Sequence, residues 1–242
     1  MTEDLAQLMT ALHLRRIPTI LDRELGLAQE HGYSYSDFLA RLLREEFQEA
    51  HSRALASRMH RARIPELWTL ETFPWKEQPA VDRTQIREIA ELDFVAKGTN
   101  VVFIGPTGVG KTGLATGLLI KAVEHGLRAL FVRAQDLFDE LYASLADRGT
   151  KQYLERLIRF DLILVDELGY LVLKPEQVNL FFKLMDERYT AHKPTLITTN
   201  LEFDDWGNFL KNRHLTDALL GRLRHRCITL RIEGNNLRAP LP

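Results

Sequence analysis

The sequence predicts an α/β protein in which a parallel sheet is covered by helices on both faces and preceded by a small all-helical N-terminal domain. Three observations lead to this prediction. Apolar runs such as Val101–Ile104 and Leu162–Val165 alternate with helical stretches along residues 76–242, a pattern typical of buried parallel strands. A glycine-rich phosphate-binding pattern follows the first of these runs. Residues 1–75 instead show apolar residues mainly at helical spacing.

Composition places the chain among ordinary globular proteins. Its 242 residues are 45% hydrophobic and 27% charged, with a formal net charge of −1. Because this charge creates no overall field that would attract a polyanion, any nucleic-acid surface must be local. The one cysteine, Cys227, excludes an intramolecular disulfide and fits a reducing cytosol. No apolar run has membrane-spanning length and the N-terminus lacks a signal-peptide pattern, so we expect a cytoplasmic protein without membrane contacts.

Residues 1–75 are expected to form the helical domain and a linker. Apolar spacing predicts a first helix around Leu5–Leu12 and a second over Thr19–Glu30. Ser36 is the expected N-cap of a third helix. The predicted apolar face of that helix consists of Phe38, Leu39, Leu42, Leu43 and Phe47. The linker carries Trp68 and Phe73, which would either pack near a nucleotide base or pin the linker to the core.

The strongest motif is the run Gly105–Thr112, which matches the phosphate-loop pattern G-x-x-x-x-G-K-[ST] at every fixed position. Glycines let backbone N–H groups wrap a phosphate, and the start of the following helix adds partial positive charge. Lys111 would reach the β- and γ-phosphates, and Thr112 would offer its hydroxyl to Mg²⁺. The predicted ATP contacts are Gly105, Pro106, Thr107, Gly108, Val109, Gly110, Lys111, Thr112 and Gly113.

A second signal is the acid pair Asp166 and Glu167, which directly follows a predicted buried strand. Ligands of open α/β sheets bind at the carboxyl ends of the strands. We therefore expect Asp166 to hold Mg²⁺ and Glu167 to act as the general base on an attacking water. Asn200 follows the predicted strand Thr195–Thr199 and would either hold that water beside the γ-phosphate or cap the next turn.

Six runs of the sequence form a pattern together. They are Thr69–Phe73, Gly105–Thr112, Asp166–Tyr170, Thr199–Leu201, Phe203–Trp206 and Leu219–Cys227. Together they resemble the AAA+ ATPases, within them the initiator and helicase-loader group, and most narrowly the IstB-like ATP-binding proteins of insertion sequences. The resemblance covers nearly the whole chain.

The resemblance implies roles for single residues. Lys111 and Thr112 match Walker A, Asp166 and Glu167 match Walker B, and Asn200 matches sensor 1. Arg222 falls where this group carries an arginine finger that acts on the neighbouring subunit, with Arg224 and Arg226 as rival candidates. Such a shared site implies a head-to-tail homo-oligomer, either a ring or a filament.

The chain departs from the family pattern in a few places. Gly221 stands where Asp is more frequent before the finger, and Gly113 stands where His is common. The sequence also ends soon after the last predicted strand, so we expect an AAA+ fold without a C-terminal lid domain.

The function that the resemblance implies is an ATPase of the bacterial cytoplasm. It would assemble on duplex DNA and activate or target an IstA-like transposase, with ATP hydrolysis as the switch. Phosphate contacts are expected from arginines of the third helix and from the helices inserted between the second and third strands. The candidates are Arg53, Arg58, Arg61, Arg63, Arg148, Lys151 and Arg156. The alternative for the first four is a solvated helix face.

Three other functions remain open from the sequence. The first is a helicase loader similar to DnaC, which would act on single-stranded DNA. A P-loop kinase is disfavoured because Glu167 beside Asp166 suits water activation, and Glu167 also argues against an ATP-gated scaffold that does not hydrolyse ATP. Subunit number, DNA sequence preference and the role of the N-terminal helices are not determined by the sequence.

Overall fold

The computed structural model describes residues 3–237 and divides the chain into two compact units, one ending at Ser57 and the other beginning at Arg58. The predicted division at residue 75 lies further along the chain. Residues 58–75 belong to the second unit because linker aromatics such as Phe73 are buried against the phosphate loop.

The first unit consists of helices α1 (Glu3–Ala11) and α2 (Ile17–His31) and most of α3 (Tyr35–Ala62). Its small apolar core is formed by Met9, Ile17, Ile20, Leu21 and Leu42. The predicted face of α3 is only partly buried, because Leu39, Leu43 and Phe47 are exposed.

A distant side chain caps α2, and a local one caps α3. The Glu46 carboxylate accepts the backbone N–H groups of Arg15, Arg16 and Ile17 at 2.9, 2.6 and 2.9 Å. It therefore satisfies the first N–H groups of α2, which has no cap in its own sequence. The prediction of Ser36 as the cap of α3 is wrong: α3 begins at Tyr35, and the Ser34 hydroxyl accepts the Asp37 N–H.

The second unit contains a five-stranded parallel sheet with strand order β2-β3-β4-β1-β5. The strands are β1 (Asn100–Ile104), β2 (Ala129–Arg133), β3 (Leu162–Leu168), β4 (Thr195–Thr199) and β5 (Cys227–Arg231). The helices are α4 (Arg83–Ala90), α5 (Asp93–Ala96), α6 (Lys111–Glu124), α7 (Ala134–Ala146), α8 (Thr150–Ile158), α9 (Pro175–Thr190), α10 (Trp206–Leu210) and α11 (Arg213–His225), with a 3₁₀ turn at Phe203–Asp205.

Helices cover both faces of this sheet. Val102 and Ile104 of β1 lie in one buried cluster with residues of α7, α8, α9 and α11. The alternating residues Val101 and Phe103 are also fully buried and point to the opposite face, against which α6 packs. The predicted parallel sheet sandwiched by helices is therefore confirmed.

A buried arginine ties α8 and α9 to the start of β4. Arg188 donates to the backbone carbonyls of Leu157, Phe160 and Pro194 and to the Thr195 hydroxyl. Burial lowers its pKa to about 9. Within residues 3–237, no helix is both long and apolar enough to cross a membrane.

Candidate functional site

The phosphate loop connects β1 to α6, which begins at Lys111. Gly108 and Gly110 have φ angles of +86° and +93°, a region that side chains with a Cβ rarely adopt. The Lys111 ammonium lies within the loop and donates to the carbonyls of Gly105 and Pro106 at 2.8 and 2.6 Å. The motif therefore has a wrapped backbone with its lysine on the inner side.

The structure brings the predicted Mg²⁺ residues together at the carboxyl end of the sheet. Asp166 is buried, and its Oδ1 accepts the Thr112 hydroxyl at 2.9 Å and the Thr198 hydroxyl at 2.6 Å. Burial raises the pKa of the Asp166 carboxyl above its ordinary value, although these two hydroxyls act in the opposite direction. Thr112 and Asp166 thus place two hard oxygens, the ligand type that Mg²⁺ prefers, 2.9 Å apart at the carboxyl end of the sheet.

Glu167 is held in an unusual backbone conformation beside this pair. The register between β3 and β4 shifts between Val165 and Leu168, and within the shift Glu167 has a φ of +61°. Its backbone N–H donates to the Thr198 hydroxyl at 2.9 Å. The bulge thus leaves the Glu167 side chain exposed on the wall of the cavity while Asp166 stays buried.

Thr198 was not identified from the sequence. Its hydroxyl accepts from Glu167 and donates to Asp166, so it links both Walker B residues from the neighbouring strand. The available signal was three threonines within the otherwise apolar strand Thr195–Thr199.

A cavity of about 450 Å³ joins these groups. Among the predicted ATP contacts, those that line it are Thr107, Gly108, Gly110, Lys111, Thr112 and Gly113. Gly105 and Pro106 line a neighbouring cleft instead, and Val109 is buried beneath the loop.

Trp68 and Phe73 form an apolar wall of the same cavity. A Cβ placed on Gly110 would lie 2.8 Å from the Phe73 ring, and one on Gly113 would lie 3.6 Å from the Trp68 ring. A Cβ on Gly113 would thus touch the Trp68 ring at an ordinary van der Waals distance, so this position lies directly against the aromatic wall. Phe73 pins the linker to the loop, while Trp68 remains accessible from the cavity.

Asn200 lies to one side of the cavity. It lines the cleft with Pro106, and a Cβ on Gly169 would meet its Oδ1 at 2.6 Å. The hydrogen bond between Tyr170 and Thr107, 2.7 Å between their oxygens, lies where this cleft and the cavity meet. The hydrogen bond that caps the turn after β4 is made by Thr199, whose hydroxyl accepts the Leu201 N–H.

The three candidate finger arginines lie outside the group of described residues that line this cavity. Arg222 pairs with Asp186 and stacks over the Phe182 ring at 5.2 Å. Arg224 lies over the Phe203 ring, and Arg226 contacts His192.

The candidate DNA contacts are divided among several places. Arg58, Arg61 and Arg156 converge on a second cavity of about 220 Å³, also lined by Arg128, Arg159 and Phe160. We call this set the arginine groove. Sequence reasoning missed its last three members, because they are brought together only by folding.

The other candidates do not line the arginine groove. Arg53 pairs with Glu46 in the N-terminal unit. Arg63 and Arg156 both pair with Glu140. Arg148 lies in the turn before α8, and Lys151, on α8, has a side chain that is 84% exposed.

Comparison with solved structures places the fold beside replication proteins. The crystal structure of the DnaC helicase loader superposes with a TM-score of 0.54 at 24% identity, covering 62% of this chain and 87% of that chain. AMPPCP-bound DnaA from Aquifex aeolicus gives a TM-score of 0.59 at 22% identity, covering 73% of this chain and 53% of that chain. These similarities support the AAA+ P-loop fold.

Sequence comparison gives the family. A protein of insertion sequence IS21 from Pseudomonas aeruginosa, named for ATP binding, is 35% identical over 97% of this chain and 88% of its own length. A similarly named protein of IS5376 from Geobacillus stearothermophilus is 32% identical over 93% of this chain and 91% of its own length. The family model described as "IstB-like ATP binding protein" matches residues 7–240. The chain therefore belongs to the IstB-like family of ATP-binding proteins encoded by insertion sequences.

Proposed function

We propose that this protein binds and hydrolyses ATP with Mg²⁺ and assembles on duplex DNA in the bacterial cytoplasm, where it activates or targets an IstA-like transposase. The observation that carries the proposal is that Lys111, Thr112, Asp166 and Glu167 line one cavity at the carboxyl edge of the sheet. The family supports ATP as the ligand, because its members are named for ATP binding. It also supports a role in transposition, because these relatives are named for insertion sequences.

The residues of the cavity fit a nucleoside triphosphate with its cation. The Lys111 ammonium would turn from the loop carbonyls to the β- and γ-phosphates. Thr112 and Asp166 supply the oxygen ligands that Mg²⁺ prefers alongside phosphate oxygens. The cation, when bound, neutralises charge on the transferring phosphate. The Trp68 ring offers a flat surface for the base.

Glu167 would orient the attacking water and accept its proton on the side-chain carboxylate. A left-handed backbone costs a non-glycine residue about 1 kcal/mol or more, and such strain persists where surrounding structure enforces it. Here the bulge and the Thr198 hydroxyl enforce it. The conformation thus aims a carboxylate into the cavity beside the buried Asp166.

Arg222 is the proposed finger for a neighbouring subunit. In its own chain the side chain is 36% exposed and is held by Asp186 on the protein surface, a pairing of low energy that a phosphate could replace. A site completed by another copy requires contacts between unlike faces, hence a head-to-tail assembly.

The arginine groove, which lies in the second unit, is the proposed DNA surface. Five guanidinium groups line it, and Asp161 pairs with Arg128 while Glu140 pairs with Arg156. The guanidinium groups of the arginine groove would contact phosphates and release condensed counterions without reading sequence. Arg148 and Lys151 are proposed to extend this contact along the inserted helices.

The finger assignment is tested by mixing two inactive variants, Glu167→Gln and Arg222→Ala, on duplex DNA. Each alone should hydrolyse ATP at a few per cent of the wild-type rate or less, since each removes one group from every shared site. The mixture should regain activity, because some interfaces then combine an intact Glu167 with an intact Arg222. Activity of Arg222→Ala alone would refute the assignment, and the same test with Arg224→Ala or Arg226→Ala would examine the rivals.

The DNA surface is tested by the salt dependence of binding. Replacing Arg58, Arg61 and Arg156 with Ala should lower the slope of log K against log salt concentration by about 3, or roughly 0.9 for each phosphate contact. The control replaces three exposed cations elsewhere, namely Arg44, Arg87 and Lys97. An unchanged slope in the first variant would show that the arginine groove does not contact DNA phosphates.

A further inference from the structure

The outward carbonyls of the phosphate loop need hydrogen-bond donors. A peptide that turns its N–H toward a bound phosphate turns its C=O away, and buried carbonyls left without a donor are costly. In this protein the Gly108 carbonyl accepts the Leu237 N–H at 2.9 Å, and the Val109 carbonyl accepts Nε2 of Gln78 at 3.1 Å. Both donors come from outside the loop and the helix that follows it.

Gln78 is the centre of this arrangement. Its side chain is fully buried, and Nε2 also donates to the Asn235 carbonyl at 2.6 Å. Two carbonyl acceptors fix which way the amide points, since only the nitrogen can donate. Among the described residues the Gln78 Oε1 has no hydrogen-bond partner. One side-chain amide thus joins the segment before α4, the phosphate loop and the segment after β5.

The segment Gly234–Leu237 fits tightly against the outside of the loop. A Cβ on Gly108 would lie 1.9 Å from the Asn236 side-chain oxygen, and a Cβ on Gly234 would lie 2.1 Å from the Gln78 oxygen. Leu237 also lines the nucleotide cavity. The segment therefore contacts the loop from behind and the cavity from its edge.

We propose that Gln78 is a positioning residue which, together with the Leu237 N–H, holds the phosphate loop with its own N–H groups facing the cavity before nucleotide binds. The proposal rests on the nucleotide site described above. A loop that is already ordered does not have to lose conformational entropy when the nucleotide binds, so the affinity is higher. The Gln78 amide donates to Val109 and Asn235, and not to Asp166 or Glu167. Loss of this amide should therefore raise KM for ATP and leave kcat nearly unchanged.

The test compares wild type with Gln78→Met, which keeps side-chain length but removes the donor, and with Gln29→Met, an exposed glutamine in α2, as the matched control. Without nucleotide, amide hydrogen exchange of residues 105–110 should be about tenfold faster in Gln78→Met than in wild type, while exchange in β3 stays unchanged. The affinity for a fluorescent ADP analogue should fall about tenfold.

A second pair of variants decides the matter if Gln78→Met fails to fold. Leu237→Pro removes the other donor, because proline has no N–H, whereas Leu237→Ala keeps it. Faster loop exchange in Leu237→Pro but not in Leu237→Ala would support the proposal. Wild-type loop exchange in the folded donor-deficient variants would overturn it. A wild-type protein that binds no nucleotide would instead refute the proposed function, because loop exchange is measured without ligand.

Discussion

Thr198 provides the sharpest test of how the acid pair is held. It is 1% exposed, and its hydroxyl donates to Asp166 at 2.6 Å and accepts the Glu167 N–H at 2.9 Å. Thr198→Val preserves the shape of the side chain and removes both hydrogen bonds. We expect the Asp166 carboxylate to lose one of its two hydroxyl donors and the Glu167 N–H to lose its acceptor.

The expected loss of unfolding free energy follows from these contacts. Leaving a buried polar group without its partner costs about 1–3 kcal/mol, more for a charged one. Because the Thr112 hydroxyl still reaches Asp166, the loss should be near the lower end, about 2–3 kcal/mol for the two bonds together. That corresponds to a midpoint shift of about 1 M in urea.

Equilibrium urea unfolding measures this directly. Thr198→Ser retains the hydroxyl and should stay within about 1 kcal/mol of wild type, while Thr190→Val, an exposed position on α9, should be nearly neutral. Thr198→Val should also lower the ATP hydrolysis rate more than nucleotide affinity, since the backbone of Glu167 loses its fixed position. Equal stability of Thr198→Val and wild type would show that these two hydrogen bonds contribute nothing measurable to folding.

Two further predictions concern a partly buried and a buried charge. Partial burial acts to raise the pKa of Asp161, but hydrogen bonds from Arg128 and Lys193 outweigh it and hold that pKa well below its ordinary value. Its contribution to stability is therefore complete above about pH 4 and is lost as the pH falls toward the folded-state pKa. Asp161→Asn should lower the urea midpoint at pH 7, with a smaller difference at about pH 3; an equal difference at both would contradict this. Arg188→Met removes the donor from three backbone carbonyls and should reduce the unfolding free energy by about 3 kcal/mol or more, measured in the same way.

The sequence contained the fold and the two nucleotide motifs because both are local signals. Strand β1, the loop and helix α6 follow one another directly, and their order predicted a wrapped loop with Lys111 inside it. Asp166 and Glu167 directly follow an apolar run, which predicted their place at the carboxyl end of a buried strand. The bulge that buries Asp166 and exposes Glu167 depends on the pairing of β3 with β4. No residue pattern within β3 alone predicts it.

The remaining parts of the site depend on long-range contacts. Thr198 reaches the acid pair only through the register of two strands, and Gln78 meets Val109 and Asn235 through the tertiary fold. The cap of α2 by Glu46 likewise joins residues about thirty positions apart. A pattern-based prediction sees residue types and spacing, so it identified Ser36 as a cap and overlooked these side chains.

We propose above that ATP drives assembly of this protein on duplex DNA. The most direct test is the mass of the complexes formed on a duplex of about 50 base pairs, short compared with the DNA persistence length, with and without ATP. A matched single strand serves as the parallel sample. We predict a large, discrete assembly on the duplex only with ATP. Preference for the single strand would instead favour a helicase loader. Absence of DNA binding in every nucleotide state would contradict the proposed assembly on DNA.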